Sequence, residues 1–454
     1  MNLEVAAAIS PFLRFLALTW WLWAFFILFP IARSAWLAWR QFDYKHSGEF
    51  KGLVLELRIP REIRKSPRAM EQVLMALHSL RNAPGDLRER WWDGEVTKWF
   101  SLELVSIGGE IHFYIRLPYH KQRNLVEAAF FSYYPDVEIE EVDDYVDRFP
   151  ENVNAMYAKG YDMWGTEMVL TREAAFPIKT FYAFESPDEE KQYDPISAFL
   201  EVLGKVRTEE VVGIQMLIAP SNFDWYKKWF PFVEKLKQTK GAEEARKLKH
   251  AWEFPEGPLP VINPVKPGKD EFGAFKSLMR TPGETDILKA VEGNLSKPAF
   301  DTLIRFIYVS PKKIYYDSFA RRGLVGAFKQ YSALNLNDFL QNFAMSTRTR
   351  IWNWPHVAPK TRNEYRKERL LLNYRTREVP EETFMGKLLT SHFFNWNFSS
   401  RRFEMNVECL ATLFHPPTFI VLTAPHIKRV ESRKAGPPAG LAIFGEEREI
   451  EKYQ

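Results

Sequence analysis

Residues 99–117, WFSLELVSIGGEIHFYIRL, hold the pattern that decides the fold. Two alternating runs flank Gly108-Gly109, a pair that supplies the positive φ values of a type I′ hairpin turn. In the second run Ile111, Phe113, Ile115 and Leu117 share one face, and His112, Tyr114 and Arg116 the other. Upstream, 51–59 (KGLVLELRI) alternates in the same way and reads as a half-buried strand. Ser66-Pro67 then reads as an N-cap and first helical position, with Met70, Val73, Leu74, Leu77 and Leu80 forming one apolar helical face. Asn82-Ala83-Pro84-Gly85 ends that helix. Downstream, Arg123–Tyr133 is a second helix turning Leu125, Val126, Ala129 and Phe130 inward, and 137–142 (VEIEEV) is a last strand. The order β-α-β-β-α-β predicts a ferredoxin-like (split βαβ) module over 49–148, so the fold class is α+β.

A similar order recurs, interrupted, over 149–335. Strands are expected at 166–170, 178–184, 209–218 and 299–309, with helices at 194–206, 284–295 and 318–330. A charged helical segment near 224–250 and the Pro-rich 254–267 are large insertions in this second ferredoxin-like module. Segment 336–429 is a basic and aromatic stretch with closing elements, including a helix in NVECLATLFH; between 335 and 400 it shows no clear period. The tail 430–454 carries Pro and Gly and reads as a linker.

Before all of this, Phe15–Ala32 is eighteen residues without a charge. As a helix that is ~27 Å, close to the hydrocarbon thickness of a bilayer. Residues 1–48 are therefore expected to be a membrane anchor with a span of about 12–37 that includes Trp20, Trp21, Trp23, Phe25 and Phe26, and Trp36 and Trp39 suit an interfacial belt. A cleaved signal peptide fits poorly, because no small-residue cleavage site follows and bulky Trp runs through the segment. Arg33, Arg40 and Lys45 follow the span, then Arg58, Arg61, Arg64, Lys65 and Arg68, which places the bulk of the chain in the cytoplasm by the positive-inside rule.

Composition excludes whole classes. Apolar residues make up 46% of the 454, too many for a disordered chain, and the balance of 62 Lys+Arg against 58 Asp+Glu is too even for a general nucleic-acid binder. One cysteine, Cys409, rules out a disulfide framework or multi-Cys metal site and reads as a small buried hydrophobe. No Walker A, G-x-G-x-x-G, H-E-x-x-H or G-x-S-x-G motif occurs. No catalytic residue, cofactor or metal ligand is assigned. The acids Glu138, Glu140, Glu141, Asp143, Asp144 and Asp147 could hold a divalent cation, but their alternation is that of a solvated strand face. The segment 348–377 sets nine basic residues against two acidic ones. With aromatics interleaved, Arg348, Arg350, Trp352, Trp354, Arg362, Arg366, Lys367 and Arg369 are the candidates for contact with nucleic acid or an anionic surface. A membrane-facing loop, an intersubunit contact and a plain solvated face are equally open readings.

Several stretches together carry a resemblance: 55–80, 99–118, 123–145, GAFKQYSALNLNDF (326–339) and NVECLATLFHPP (406–417). In that order they resemble the region preceding the motor domain in membrane-anchored ATPases from uncultivated bacteria, of the FtsK/HerA class that includes type IV secretion and conjugative DNA-transfer motors. ESRKAGPPAGLAIFGE (431–446) resembles their linker into the P-loop domain. The departure is that this sequence stops at Gln454, where the motor would begin, as either a standalone subunit with a separately encoded motor or a truncated product would, so no ATPase residue carries over. The resemblance implies a non-catalytic assembly or docking subunit in a bacterial inner membrane, single-pass. It would self-associate, partner a separate P-loop motor ATPase and serve DNA or protein translocation, with DNA as a further potential partner. The alternatives are a membrane-bound metal-dependent hydrolase or nuclease using the acids of 138–147, and a pure protein scaffold.

Overall fold

The computed structural model describes residues 14–15, 18–46, 52–60, 63, 65–185, 193–222, 224–237, 282–348, 356–380 and 400–418. Helix α1 (Trp20–His46) is followed by β1 (Leu53–Arg58), α2 (Arg68–Ser79), β2 (Phe100–Ile107), β3 (Glu110–Leu117), α3 (Arg123–Tyr133) and β4 (Glu138–Val142). Next come α4 (Val153–Ala158), β5 (Tyr161–Leu170), α5 (Ser197–Gly204), β6 (Val211–Pro220), α6 (Trp225–Lys237), α7 (Pro282–Leu295), β7 (Ala299–Pro311) and α8 (Asp317–Lys329). The chain closes with β8 (Phe339–Gln341), α9 (Pro359–Thr376), β9 (Phe403–Asn406) and α10 (Val407–Leu413).

The nine strands among the described residues form one antiparallel sheet in the order β4-β1-β3-β2-β6-β7-β5-β8, with β9 pairing β7. Read outward from the central β2–β6 pair, each half places its strands in the order second, third, first, fourth; the first half runs β-α-β-β-α-β along the chain, and the second sets α6 and α7 between β6 and β7. The seam between halves is a full ladder from Phe100↔Ile218 to Ile107↔Val211. The Gly108-Gly109 turn docks on the loop before β6. Both glycines have positive φ (63° and 93°), and a Cβ on either would come within 2.9 Å of the carbonyl oxygen of Thr208 or Val206. The turn therefore requires glycine both for its backbone conformation and for its close approach.

Helices α2, α3, α5, α8 and α10 cover one face of the sheet with a continuous apolar core. Met70, Val73, Leu74 and Leu77 of α2 are wholly buried, together with Leu102, Leu104, Ile115, Ile214, Ile304 and Phe306 from the strands. Each such side chain contributes roughly 1.5–3 kcal/mol by leaving water. The second face is covered too, by α4, α9 and the 3₁₀ turn Tyr145–Arg148. Strands whose alternation suggests one wet face are thus buried on both.

Three expectations for the second half change. Residues 178–184 are not a strand, because Phe181–Ala183 is a 3₁₀ turn tied down by Phe181 N–H donating to Thr412 Oγ1. The first strand of that half is the longer β5, and the fourth is β8, just beyond the expected boundary at 335. The aperiodic 335–400 region contains α9, whose buried side mixes Arg362 and Arg366 with Leu370 and Tyr374, so that no amphipathic period registers in the sequence. Only residues 224–237 of the charged helical segment, and neither the Pro-rich insertion nor the tail 430–454, lie within the described residues.

Two polar locks hold the closing elements. Lys297 bridges Glu71 (2.6 Å) on α2 and Glu408 (2.8 Å) on α10. Buried Asp194 accepts from Thr418 N (2.7 Å) and Thr418 Oγ1 (2.9 Å) and lies 2.7 Å from His415 Nε2. Burial pushes the Asp194 carboxyl up, but His415 and the Thr418 bonds outweigh it and hold it below the usual carboxylate range. Its stabilisation is present above the unfolded value of about 3.9 and is lost as pH falls through the lower folded value. Asp194→Asn should lose about 1–3 kcal/mol at pH 7. Its unfolding midpoint should also fall less steeply than the parent's on acidification below pH 4, as read by thermal melts in detergent.

Candidate functional site

The second face of the sheet carries a row of polar side chains across four adjacent strands. Register places Glu103 (β2) opposite Gln215 (β6), Gln215 opposite Arg305 (β7), and Arg305 opposite Glu167 (β5). All four are fully buried. One pleat repeat away lies Gly165, Ile307 and Gly213, a row with side-chain bulk only in its middle. Helix α9 lies across these rows: Leu370 fills the space over Gly165, and Tyr374 the space over Gly213. The spacing of four brings Leu370 and Tyr374 onto one helix face.

The C-terminal end of α9 is satisfied by the sheet instead of by water. Gln215 Nε2 donates to Tyr374 O (3.0 Å), and Arg305 donates to Asn373 O through Nη1 and to Glu378 O (2.7 Å) through Nη2. Positive side chains near helix C-terminal carbonyls are favourable because those groups lack intrahelical partners and carry the negative end of the helix dipole. Arg377 adopts the left-handed cap (φ 53°) and is itself buried. Its guanidinium donates to Glu103 Oε1 (2.5 Å) and Oε2 (3.1 Å), and to Asp144 Oδ2 (2.6 Å) and Oδ1 (2.8 Å). Burial works against the Arg377 charge, but Glu103 and Asp144 reverse that and raise it well above its usual value. The Glu167–Arg305 pair (3.4 Å) is different: burial pushes Glu167 up and pulls Arg305 down, despite their attraction. Ser400 Oγ, 2.6 Å from both Glu167 oxygens, supplies a further donor.

At Arg362 and Arg366 this geometry corrects the expectation of a basic contact surface. Arg362 and Arg366 are buried, and Arg366 Nη1 donates to Phe343 O and Ser346 O, both at 3.0 Å. Burial, with Arg362 adding, pulls Arg366 down to about 10. Lys367 is half-buried, donating to Tyr157 Oη (2.8 Å) and Asp162 Oδ1 (2.7 Å). Arg369 is half-buried and Arg348 exposed, whereas Arg350, Trp352 and Trp354 lie outside the described residues. Arg366 and Lys367 of α9 are thus directed at groups of this chain, the loop after β8 and the start of β5. On the acidic strand β4, Glu140 pairs with Arg58 and Glu141 with Arg123 (2.5 Å), while Asp144 belongs to the Arg377 cap. No group of three His, Cys, Asp or Glu side chains converges as a metal site would require among the described residues. Cys409 is buried, its thiol pushed up to about 12 chiefly by burial.

Two of the concavities among the described residues are of note. One of about 380 Å³ lies beside α4, lined by Tyr145, Arg148, Phe149, Lys159, Tyr161 and Glu209 over apolar Ile107, Val211 and Val309. The other, about 410 Å³ and more polar, lies at the base of α1, where Gln41 and Lys45 meet Arg81, Arg90, Trp99, Asp301 and Arg402. In α1, Trp20, Trp21, Phe25 and Phe26 are exposed, and Trp23 belongs to the same helix. The helix is long and apolar enough to cross a membrane and continues well past 37, to His46. What the sequence reading missed is the glycine trough, whose only signal is a single Gly inside each of two strand patterns, and the Trp91-Trp92 turn at the foot of α1.

The molecule is a two-sided antiparallel sheet domain led by one apolar helix. The chain belongs to the family DUF8128, a domain of unknown function, whose model matches residues 44–425, the sheet domain from the end of α1 onward. No curated protein matches the chain.

Two substitutions test this geometry. Gly213→Ala puts a Cβ 1.9 Å from Tyr374 Oη. It should cost about 1–3 kcal/mol, part of it recovered in Gly213→Ala/Tyr374→Phe. Arg377→Leu leaves Glu103 and Asp144 without their shared cation and should cost about 3–5 kcal/mol, measured by denaturant unfolding in detergent.

Proposed function

We propose that the protein is a membrane-tethered assembly and docking module of a translocation apparatus, with the sheet domain on the cytoplasmic side of a bacterial inner membrane. In this reading α1 spans the bilayer once and each half of the sheet is a ferredoxin-like module. The partners are other copies of the chain and a separately encoded P-loop motor ATPase. The observation that carries it is the joining of an apolar helix to one wide, doubly covered sheet. Its interior charges are committed to internal caps, which suits a rigid platform whose work is done by its outer surface. Orientation is supported by the basic residues that follow the span, Arg33, Arg40 and Lys45. The strand order of each half supports the module reading, since second-third-first-fourth is the order that a split βαβ unit adopts. Direct DNA contact through Arg362 and Arg366 forms no part of the proposal.

Full-length protein purified in mild detergent from its native operon context, followed by mass spectrometry of what stays bound, tests the reading. A stoichiometric P-loop ATPase is the expected result. Recovery of the chain alone, even after cross-linking, would sink the motor partnership.

A further inference from the structure

The segment 86–94 (DLRERWWDG) folds into a π-helical turn, Glu89–Asp93, that packs on the lower part of α1. The Arg33 guanidinium sits 3.8 Å above the Trp91 ring, and Trp92 packs on Trp36 with ring centroids 5.3 Å apart. Arg40 Nε donates to Trp92 O (3.1 Å), and its other end reaches Asp93 (3.8 Å). Gly94 closes the turn at φ 70°, where a Cβ would come within 2.7–2.9 Å of Arg40 and the Gln41 nitrogen. The turn is therefore built to lie against α1. Lower down, buried Lys98 donates to Tyr44 O and Lys45 O, both at 3.3 Å, fastening the last turn of α1 to the domain.

What this turn shows to the outside is unlike an ordinary loop. Leu87 is 77% exposed and Trp92 61%, beside exposed Trp36 and Trp39 on the helix. Its level along α1 is also defined. The charge-free stretch ends at Ala32, so Arg33 marks the edge of the hydrocarbon, and the contacts at 33, 36 and 40 span roughly 10 Å of helix below it. That is about the depth of a headgroup layer, where Trp rings with one apolar side and one polar edge are most stable. Arg88 and Arg90 are offset by Asp86, Glu89 and Asp93, so the attraction is aromatic and apolar more than electrostatic.

We infer that the 86–94 turn is a second membrane contact, with Leu87, Trp91 and Trp92 seated in the interfacial layer of the same bilayer that α1 crosses. This rests on the spanning role proposed for α1. The pairing of span and turn gives the domain two attachment points and fixes the tilt of the sheet against the membrane, where a lone span with a free linker would let it swing.

The test uses full-length protein in phosphatidylcholine nanodiscs, carrying single added cysteines at Phe26→Cys, Leu87→Cys or Leu334→Cys, each labelled with an environment-sensitive fluorophore. Cys409 is buried and stays unlabelled in the folded protein, and Leu334, 99% exposed in the sheet domain, is the aqueous control. Nitroxide lipids labelled near the headgroup should quench position 87 at least twofold and leave 334 unchanged, while chain-deep nitroxides quench position 26. Quenching at 26 with none at 87 overturns the second contact and leaves the span standing. A position 87 protected from water but untouched by lipid nitroxides also overturns it and points to a second copy or a soluble partner over the turn. Absence of quenching at 26 removes the span and the inference together.

Discussion

The C-terminal end of α9 over the buried polar row is the contact on which this architecture turns. A helix end presents carbonyls without partners, and burying one against a sheet is costly unless donors meet it. Arg305 and Gln215 supply those donors from adjacent strands, and Arg377 closes the end by reaching two carboxylates. Because Glu103 lies in the first half of the sheet and Arg305 in the second, this one helix terminus binds both halves. The β2–β6 seam joins the halves by backbone pairing, and α9 joins them by side chains.

That arrangement explains why charge along the chain misleads. A run with nine basic and two acidic residues looks like a surface for polyanions. In the folded chain Arg366 and Arg377 are among the largest fully buried side chains, because a desolvated guanidinium can be satisfied by several carbonyls or carboxylates at once. Glu103 and Asp144 are the partners of Arg377, and Glu167, on β5, is that of Arg305. The polar face of the central strands β2, β6, β7 and β5 is the second core.

The anchor end follows a different logic. There the exposed groups are aromatic and aliphatic, and they gather where α1 leaves its charge-free stretch. The domain is fastened to α1 by the Trp91-Trp92 turn and by Lys98, so the helix and the sheet form a continuous body through the junction.

The sequence alone determined the local elements of the first half, the glycine turn of the hairpin, the apolar leading helix and the burial of Cys409. Those are set by short-range periodicity, by positive φ at two glycines and by the length of a charge-free run, all readable within a few tens of residues. Tertiary structure decided the rest. Only the fold could replace the expected strand at 178–184 with β5 and β8, because a ladder partner far along the chain, not local propensity, selects which segment joins a sheet. Likewise only the fold could turn Arg377, just past the end of α9, inward, because its partners Glu103 and Asp144 lie more than 200 residues away in sequence. A buried charge is stable only beside its counter-charge, and that proximity exists nowhere but in three dimensions.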